Sequence, residues 1–508
     1  MAFIGGDAIH FLQYGAGAFA AYYIFSSFVS WFRLRHIPGP ILASLSHAWL
    51  IKNTFLGNSH AQLLALKRYG SLVRVAPNYI LTDDPAILRH IYGIKSTYGR
   101  DDWFTGVRLD PRDNLLTTLD TAAHDRLKAK LTNGYNGRDN VDIEGVLDDQ
   151  IANLKGLVRR HYLSTSAEIR KADLVWIIRF FTMDAITALA YGEPFGYMET
   201  NEDLFGFNKQ VQDAGKIMSV VVDTPLLPTF SSLPCYLLLL CQRLPIKKDL
   251  VGLSGKLGQE LVAKHFGPRS DKGKDMVSSF MRHGLSRDQC ETESVVQVIA
   301  GSDTTGTTIW SALLFIVRTP RVYSHLMKEA REVINSGKVS SKPITYKQGK
   351  QLSCLQAVIY EAIRVRPPAL YGHFKSVPAG GEMLNGVFLP GGTAISRNIY
   401  GLMMSRNIFG QDVETYRPER FLDCDVTTRA EIERIVEFAF GYGRWVCAGK
   451  HVAFTQLYKV IFELLRTFDF QPIDPMRPMQ ESSGLFWYQT NMWVRIKELI
   501  NDTQPTLS

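Results

Sequence analysis

Phe440-Gly441-Tyr442-Gly443-Arg444-Trp445-Val446-Cys447-Ala448-Gly449 is the stretch on which the reading of this chain turns. Three glycines surround one cysteine, and glycine permits tight turns and close backbone approach. Beyond it, Val452, Ala453, Leu457, Val460, Ile461, Leu464 and Phe468 recur at helical spacing. Cys447 therefore lies where a helix begins. Unpaired N–H groups and the helix dipole there favour an anion, which predicts a thiolate. A thiolate on a Gly-rich loop reads as a soft-metal ligand or as a nucleophile.

The rest of the chain bounds the choice. With 508 residues, 46% hydrophobic and 21% charged, it can bury a large core and is not a disordered chain. Lys and Arg number 57 against 49 Asp and Glu, a net charge of +8. No basic run with interleaved aromatics marks a nucleic-acid binder. The excess reads as a solvated surface or as a modest face for an acidic partner or a membrane. Cys235, Cys241, Cys290, Cys354, Cys424 and Cys447 form no CxxC pair. That argues against a zinc cluster and a disulfide framework, and for a reducing compartment.

Residues 11–32 hold no Asp, Glu, Lys or Arg. This length suffices to span a bilayer, which takes roughly 20 residues. Tyr14, Tyr22, Tyr23 and Trp31 suit the interfaces, while Arg33 and Arg35 follow and Asp7 precedes. The charge asymmetry predicts a cytosolic body. No small-residue cleavage site follows, so residues 1–36 are expected to be an uncleaved anchor with a basic flank. Ile37-Pro38-Gly39-Pro40 then predicts a hinge leading to a single domain over 37–508.

Within the body, 72–81 reads as a hairpin around Pro77-Asn78, and Asp84-Pro85 as a helix start. Residues 98–119 read as a long irregular segment in which Trp103 and Phe104 could face a ligand. Helical pattern resumes at 124–131 and dominates 141–266. It is interrupted at 225–245 by four prolines and Leu237-Leu238-Leu239-Leu240, a greasy segment suited to a membrane-dipping surface, a pocket lid or a buried loop. The turn expected next covers 270–275. A long helix over 292–317 carries Ala300-Gly301-Ser302-Asp303-Thr304-Thr305, polar and flexible residues that weaken an apolar helix and so point to function. The helix over 351–365 sets Glu361 and Arg364 three apart on one face. Short strands are expected at 387–389, 393–396 and within 485–496. The class is mainly α with a small β region.

Four patches thus stand in order: Ala-Gly-x-Asp-Thr-Thr, Glu-x-x-Arg, Pro418-Glu419-Arg420-Phe421, and Phe-x-x-Gly-x-x-x-Cys-x-Gly followed by Ala453. Together with the anchor and proline segment they closely resemble the haem-thiolate monooxygenases of the cytochrome P-450 family, over essentially the whole chain. The Gly-Tyr-Gly-Arg-Trp loop and the terminal Thr490-Asn491-Met492-Trp493-Val494-Arg495 look most like the membrane-bound fungal, pisatin-demethylase-like members.

The resemblance implies haem b between a long distal helix and the Cys-loop helix, with Cys447 as the iron ligand. Phe440 would shield the sulfur, and Gly443 and Gly449 would allow close approach. Asp303 and Thr304 match the family's distal acid–alcohol pair; the Thr304 hydroxyl can bond back to the Ala300 carbonyl. Glu361, Arg364 and Arg420 match a structural ion cluster. His124, Lys128, Lys375 and Arg444 are the candidates for the haem carboxylates. Trp445 stands where the family usually places a basic residue. Trp103, Phe104, Ala300 and Phe486 fall at pocket positions, implying a hydrophobic small-molecule substrate. The resemblance also implies O2 as oxidant. It implies electrons from NADPH through a separate cytochrome P-450 reductase, with cytochrome b5 as a second partner, docking near Lys450 and His451. The expected location is the endoplasmic reticulum membrane, single-pass, and the expected role is secondary-metabolite biosynthesis. The competing readings are a haem-thiolate isomerase or dehydratase, a hydrolase with Cys447 as nucleophile, and an anchored interaction protein without chemistry.

Overall fold

The N-terminal apolar run folds as α1 (Gly6–Arg33), and its Tyr14, Tyr22, Ile24, Phe25, Phe28 and Phe32 side chains are exposed. The computed structural model describes residues 6–499 except 109, 111, 207, 210–214, 216–218, 225–257, 268–272, 340 and 341. The expected Pro-rich greasy segment at 225–245, with Cys235 and Cys241, lies outside the described residues, as does half of the expected turn at 270–275.

The expected hinge is corrected by the structure. Arg33 Nη2 donates to Gly391 O at 2.6 Å and His36 Nε2 lies 2.8 Å from Phe388 O. Arg74 N donates to Pro38 O at 2.9 Å, and Leu34 and Ile37 are buried. Gly39 packs so closely on Arg74 that a Cβ there would collide with its carbonyl. The Pro-Gly-Pro residues are selected for a tight fit against the body rather than for freedom. The end of α1 is pinned to the sheet.

β1 (Leu72–Ala76) and β2 (Tyr79–Thr82) form the expected hairpin, and Asp84 caps α2 (Pro85–Tyr92) by accepting from Ala86 N and Ile87 N. The irregular segment that follows contains β3 (Gly99–Arg100) and one short helical turn, Trp103–Gly106. α3 (Thr121–Tyr135), α4 (Ile143–His161), β4 (Lys171–Asp173) and α5 (Leu174–Tyr191) come next. Among the described residues α5 is the one helix that length and composition single out as a candidate membrane span. It is 94% buried, which makes it a core helix. It packs along α6 (Arg287–Arg318), which opens with a capping box between Ser286 and Gln289. α6 also packs on α7 (Ser353–Val365).

Eight further strands complete the β region among the described residues, the first seven being β5 (Tyr371–Ser376), β6 (Glu382–Leu384), β7 (Val387–Leu389), β8 (Ala394–Asn398), β9 (Phe468–Pro472), β10 (Gln480–Ser483) and β11 (Trp487–Thr490). β12 (Trp493–Glu498) is last. The larger sheet runs β1-β2-β8-β5-β3, with β2 and β8 parallel and the other neighbours antiparallel. A three-stranded sheet pairs β4-β12-β9. α8 (Lys450–Thr467) follows the Cys447 loop and packs on α6 and α7. The fold is mainly helical with small sheets, as expected, and α8 joins the Cys447 loop to the α6–α7 packing.

Candidate active site

The Cys447 loop is held by its own backbone. Cys447 N donates to Phe440 O at 2.7 Å, and Trp445 N to Tyr442 O at 3.1 Å. Gly443 has φ +59°, and a Cβ there would strike the Tyr92 carbonyl, so only glycine lets the loop lie on the end of α2. Gly449 has no such demand from the protein: a Cβ would sit 3.9 Å from Cys447 Sγ, an ordinary contact. It serves as the N-cap of α8. Phe440 stacks on Phe454 with centroids 5.2 Å apart.

Two side chains clamp the loop from outside. Lys128 Nζ donates to Arg444 O at 2.7 Å and to Val446 O at 2.6 Å. Arg397 Nη1 donates to Phe438 O at 2.7 Å. Cys447 remains exposed although protein closes around it, so its sulfur faces an enclosed hollow. Burial raises its thiol pKa against the lowering effects of the Gly449 N–H, Lys128, Arg397 and Lys450. Desolvation is the largest of these influences on the sulfur without a metal beside it. A metal ion supplies the missing charge, because a coordinating thiol is deprotonated outright. Among the described residues the leading influences on the sulfur are burial, the Gly449 N–H and three cations, and a cysteine nucleophile would need a base instead.

On α6, Thr304 Oγ1 donates to Ala300 O at 2.8 Å, the back-bond expected from the sequence. Asp303 is half-buried, and its Oδ1 lies 3.2 Å from Nη2 of Arg179 on α5. Arg179 is buried beside Trp176 and Trp310, and its Nε and Nη1 have no partner. The sequence reading missed Arg179. A lone arginine in an otherwise apolar helix was the available signal. Ala300 is exposed and Phe486 half-buried, so both keep open surface. Trp103 and Phe104 are only 1% and 2% exposed, so they wall the region from behind rather than face a ligand.

The third group surrounds Trp445. Lys375 Nζ lies 3.0 Å from the centroid of its indole, Arg100 stands 4.7 Å from it, and the His124 ring packs at 4.3 Å. Lys375 Nζ and Trp445 Nε1 are both buried and have no hydrogen-bond partner among the described residues. Arg444 is turned away, to Asp125 at 2.9 Å and to Ile94 O. His124 is held neutral, its pKa pushed down to about 4 by burial first and then by Arg100. Arg100 and Arg397 were not singled out from sequence. Arg100 lies in a segment without periodicity, and only its place beside the aromatic pair hinted at a role.

Converging cations and two orphaned donors, with Asp125 the carboxylate paired nearby, call for an anionic guest. A planar group bearing carboxylates at its edge and an iron for Cys447 fits this donor set. A model of the family described as Cytochrome P450 matches residues 50–493. The chain belongs to the cytochrome P450 family. It is 40% identical over 97% of its length to cytochrome P450 monooxygenase ABA1 of Pyricularia oryzae, covering 98% of that protein. It is 42% identical to cytochrome P450 monooxygenase aba1 of Botryotinia fuckeliana, over 92% of each chain. Pisatin demethylase of Fusarium vanettenii is 28% identical, over 89% of this chain and 86% of that one. This P450 is therefore a monooxygenase-type oxidoreductase of fungal kinship, with a haem iron held by a cysteine thiolate as the family implies.

The unpartnered lysine makes a pH prediction for the haem-free P450. Burial, then Arg100 and Arg444, pushes the Lys375 pKa down from 10.5 to about 5. Between those values the unfolded chain binds the proton and the folded chain does not, so folding stability rises with pH. The stability of the wild-type apoprotein relative to Lys375→Met should therefore increase from about pH 5 upward, measured by urea unfolding across pH. Haem loading should flatten that difference, because a carboxylate beside Lys375 restores its charge. Equal pH profiles for the two apoproteins would count against this placement.

Proposed function

We propose that this chain inserts one oxygen atom from O2 into a hydrophobic small molecule, with NADPH electrons delivered by a separate reductase. The balanced reaction is substrate, O2, NADPH and a proton giving oxygenated substrate, water and NADP+. The observation that carries the reading is the Thr304–Ala300 back-bond beside Asp303 on α6, in a chain of the P450 family that holds Cys447 just ahead of α8. The bound haem supplies oxygen activation, and a thiolate ligand favours O–O cleavage. Cys447 would hold the iron, and Lys375, Trp445 and Arg100 would face the haem carboxylates. Lys128, Arg397 and Arg444 would fix the loop and its surroundings.

Thr304 would position an oxygen or an ordered water through a hydroxyl that already bonds Ala300 O. Asp303 would take protons at Oδ from water and pass them inward, with Arg179 holding the carboxylate between transfers. An isomerase or dehydratase needs no such pair. Turnover with 18O2, reductase and NADPH should place one labelled atom in the product. Turnover independent of the reductase would favour the isomerase reading.

The reductase would dock beside the Cys447 loop. A surface groove of about 510 Å³ there is lined by Arg89, Arg434, Lys450 and Tyr442, with Glu431 and Glu437. Lys450 is paired with Glu437 at 2.8 Å, and the His451 ring packs edge-on to Tyr346, so Arg89 and Arg434 are the better contacts for an acidic partner. α1 would span the endoplasmic reticulum membrane, with residues 37–508 as one cytosolic domain. Its exposed apolar side chains support this. The full chain should stay in the membrane pellet after alkaline carbonate extraction, and release into the supernatant would remove the anchor. The named relatives support a secondary-metabolite substrate, pisatin being the one their names give.

A further inference from the structure

His373 is the residue whose geometry the account above leaves unused. It sits in β5 at φ +66°, directly after Gly372 at φ +99°. The register between β5 and β8 shifts between Gly372 and Lys375. Two left-handed residues in succession make a bulge, and a left-handed conformation is costly for a residue with a Cβ. Such a conformation persists only where the surroundings fix it. Here they do. Tyr92 donates its hydroxyl to His373 O at 2.7 Å, and the ring packs between Trp103 and Phe104, each 5.7 Å away.

Arg397 then sets the chemistry of the ring. Its Nη2 lies 3.0 Å from His373 Nδ1. A guanidinium only donates, so Nδ1 is the acceptor and the neutral ring carries its proton on Nε2. Burial and the charges of Arg397, Arg100 and Lys375 all oppose a second proton. The other Nη of Arg397 holds Phe438 O, so His373 stands one guanidinium away from the Cys447 loop. Two residues on, Lys375 reaches the face of Trp445. The His373 side is only half-buried although protein encloses it, whereas Trp103, Phe104 and Lys375 are shut.

The geometry points to His373 as a preset Nε2–H donor for a carboxylate or carbonyl oxygen at the cofactor's edge. Two sources offer that oxygen: a haem carboxylate, or an oxygen function on an otherwise apolar substrate. In either case the strained bulge aims the donor and Arg397 fixes its tautomer. The inference rests on the haem-thiolate reading, and a normal reduced carbon-monoxide band in each variant keeps that reading intact whichever way the test falls.

The test uses the full-length holoprotein with His373→Phe, which keeps a ring without the donor, and His373→Asn, which keeps an N–H donor and tolerates left-handed backbone. One arm titrates the Soret shift with cyclododecanone and with cyclododecane. The other follows haem transfer to excess apomyoglobin, with native haem and with its dimethyl ester. A substrate source predicts that the ketone binds wild type more tightly than the hydrocarbon. His373→Phe then weakens the ketone alone, by about tenfold, the size of one lost hydrogen bond. A haem source predicts about tenfold faster transfer of native haem from His373→Phe, with no change for the ester. In either arm His373→Asn restores much of the effect. The inference is overturned if wild type shows no ketone preference and haem transfer is unaffected. It is equally overturned if ester and native haem are lost alike and His373→Asn restores nothing.

Discussion

Arg364→Met is expected to leave almost no haem-loaded protein, although position 364 touches neither haem nor substrate. Arg364 is fully buried. Its Nε donates to Glu361 Oε2 at 2.7 Å and its Nη2 to Oε1 at 2.8 Å. Its Nη1 reaches Met403 O at 3.0 Å and Val413 O at 2.7 Å, and its Nη2 Thr415 O at 3.2 Å. Arg420 joins from the long loop, its Nε 3.0 Å from both Glu361 oxygens, and also donates to Phe409 O. The Arg417 N–H adds a further bond to Glu361. One carboxylate thus ties α7 to the chain that leads into the Cys447 loop.

Swapping a whole buried pair for apolar residues can be neutral, but removing one partner strands a charge at about 3–5 kcal/mol. Here the Met403 and Val413 carbonyls lose this donor as well, while Thr415 O keeps Arg420 Nη2 at 3.2 Å. A domain has about 5–15 kcal/mol to lose, so expression of Arg364→Met should yield mostly haem-free aggregate. Soret absorbance per milligram of protein measures this. A variant that loads haem normally would reduce the cluster to a surface-like pair.

The second large effect is expected at Asp303. Asp303→Asn keeps the shape and a contact to Arg179 but removes the proton carrier. General acid–base groups contribute roughly 10²–10⁴-fold, so product formation should fall by about 10²-fold with a larger solvent isotope effect, while the spectral shift on substrate binding is unchanged. Thr304→Ala should behave differently. It frees Ala300 O and removes the positioning hydroxyl, so NADPH and O2 are still consumed but the electrons emerge as hydrogen peroxide. Equal coupling in wild type and Thr304→Ala would deny the hydroxyl its role.

The Cys447 loop at a helix start was legible in its glycines and the helical spacing beyond it. The Thr304 back-bond and the Glu361–Arg364–Arg420 cluster were legible only through the family resemblance, since spacing alone sets Glu361 and Arg364 on one helix face and no more. What escaped depends on distant segments meeting. Arg100 and Lys375 flank Trp445 from two different strands, so no local pattern announces the sandwich. Lys128 and Arg444 carry the right charge, but backbone carbonyls and Asp125 claim them. β5 was not legible because Gly372 and His373 break its alternation. Ile37-Pro38-Gly39-Pro40 misled in the other direction: its composition is that of a hinge, while its glycine is fixed by contact with Arg74.

The central claim is that Cys447 ligates a haem iron. The most direct measurement is the absorption difference spectrum of the dithionite-reduced full-length protein with and without carbon monoxide. The account predicts the red-shifted Soret band of a thiolate–haem, and its loss in Cys447→Ser. Haem-replete wild type without that band, or a band that survives Cys447→Ser, would contradict it.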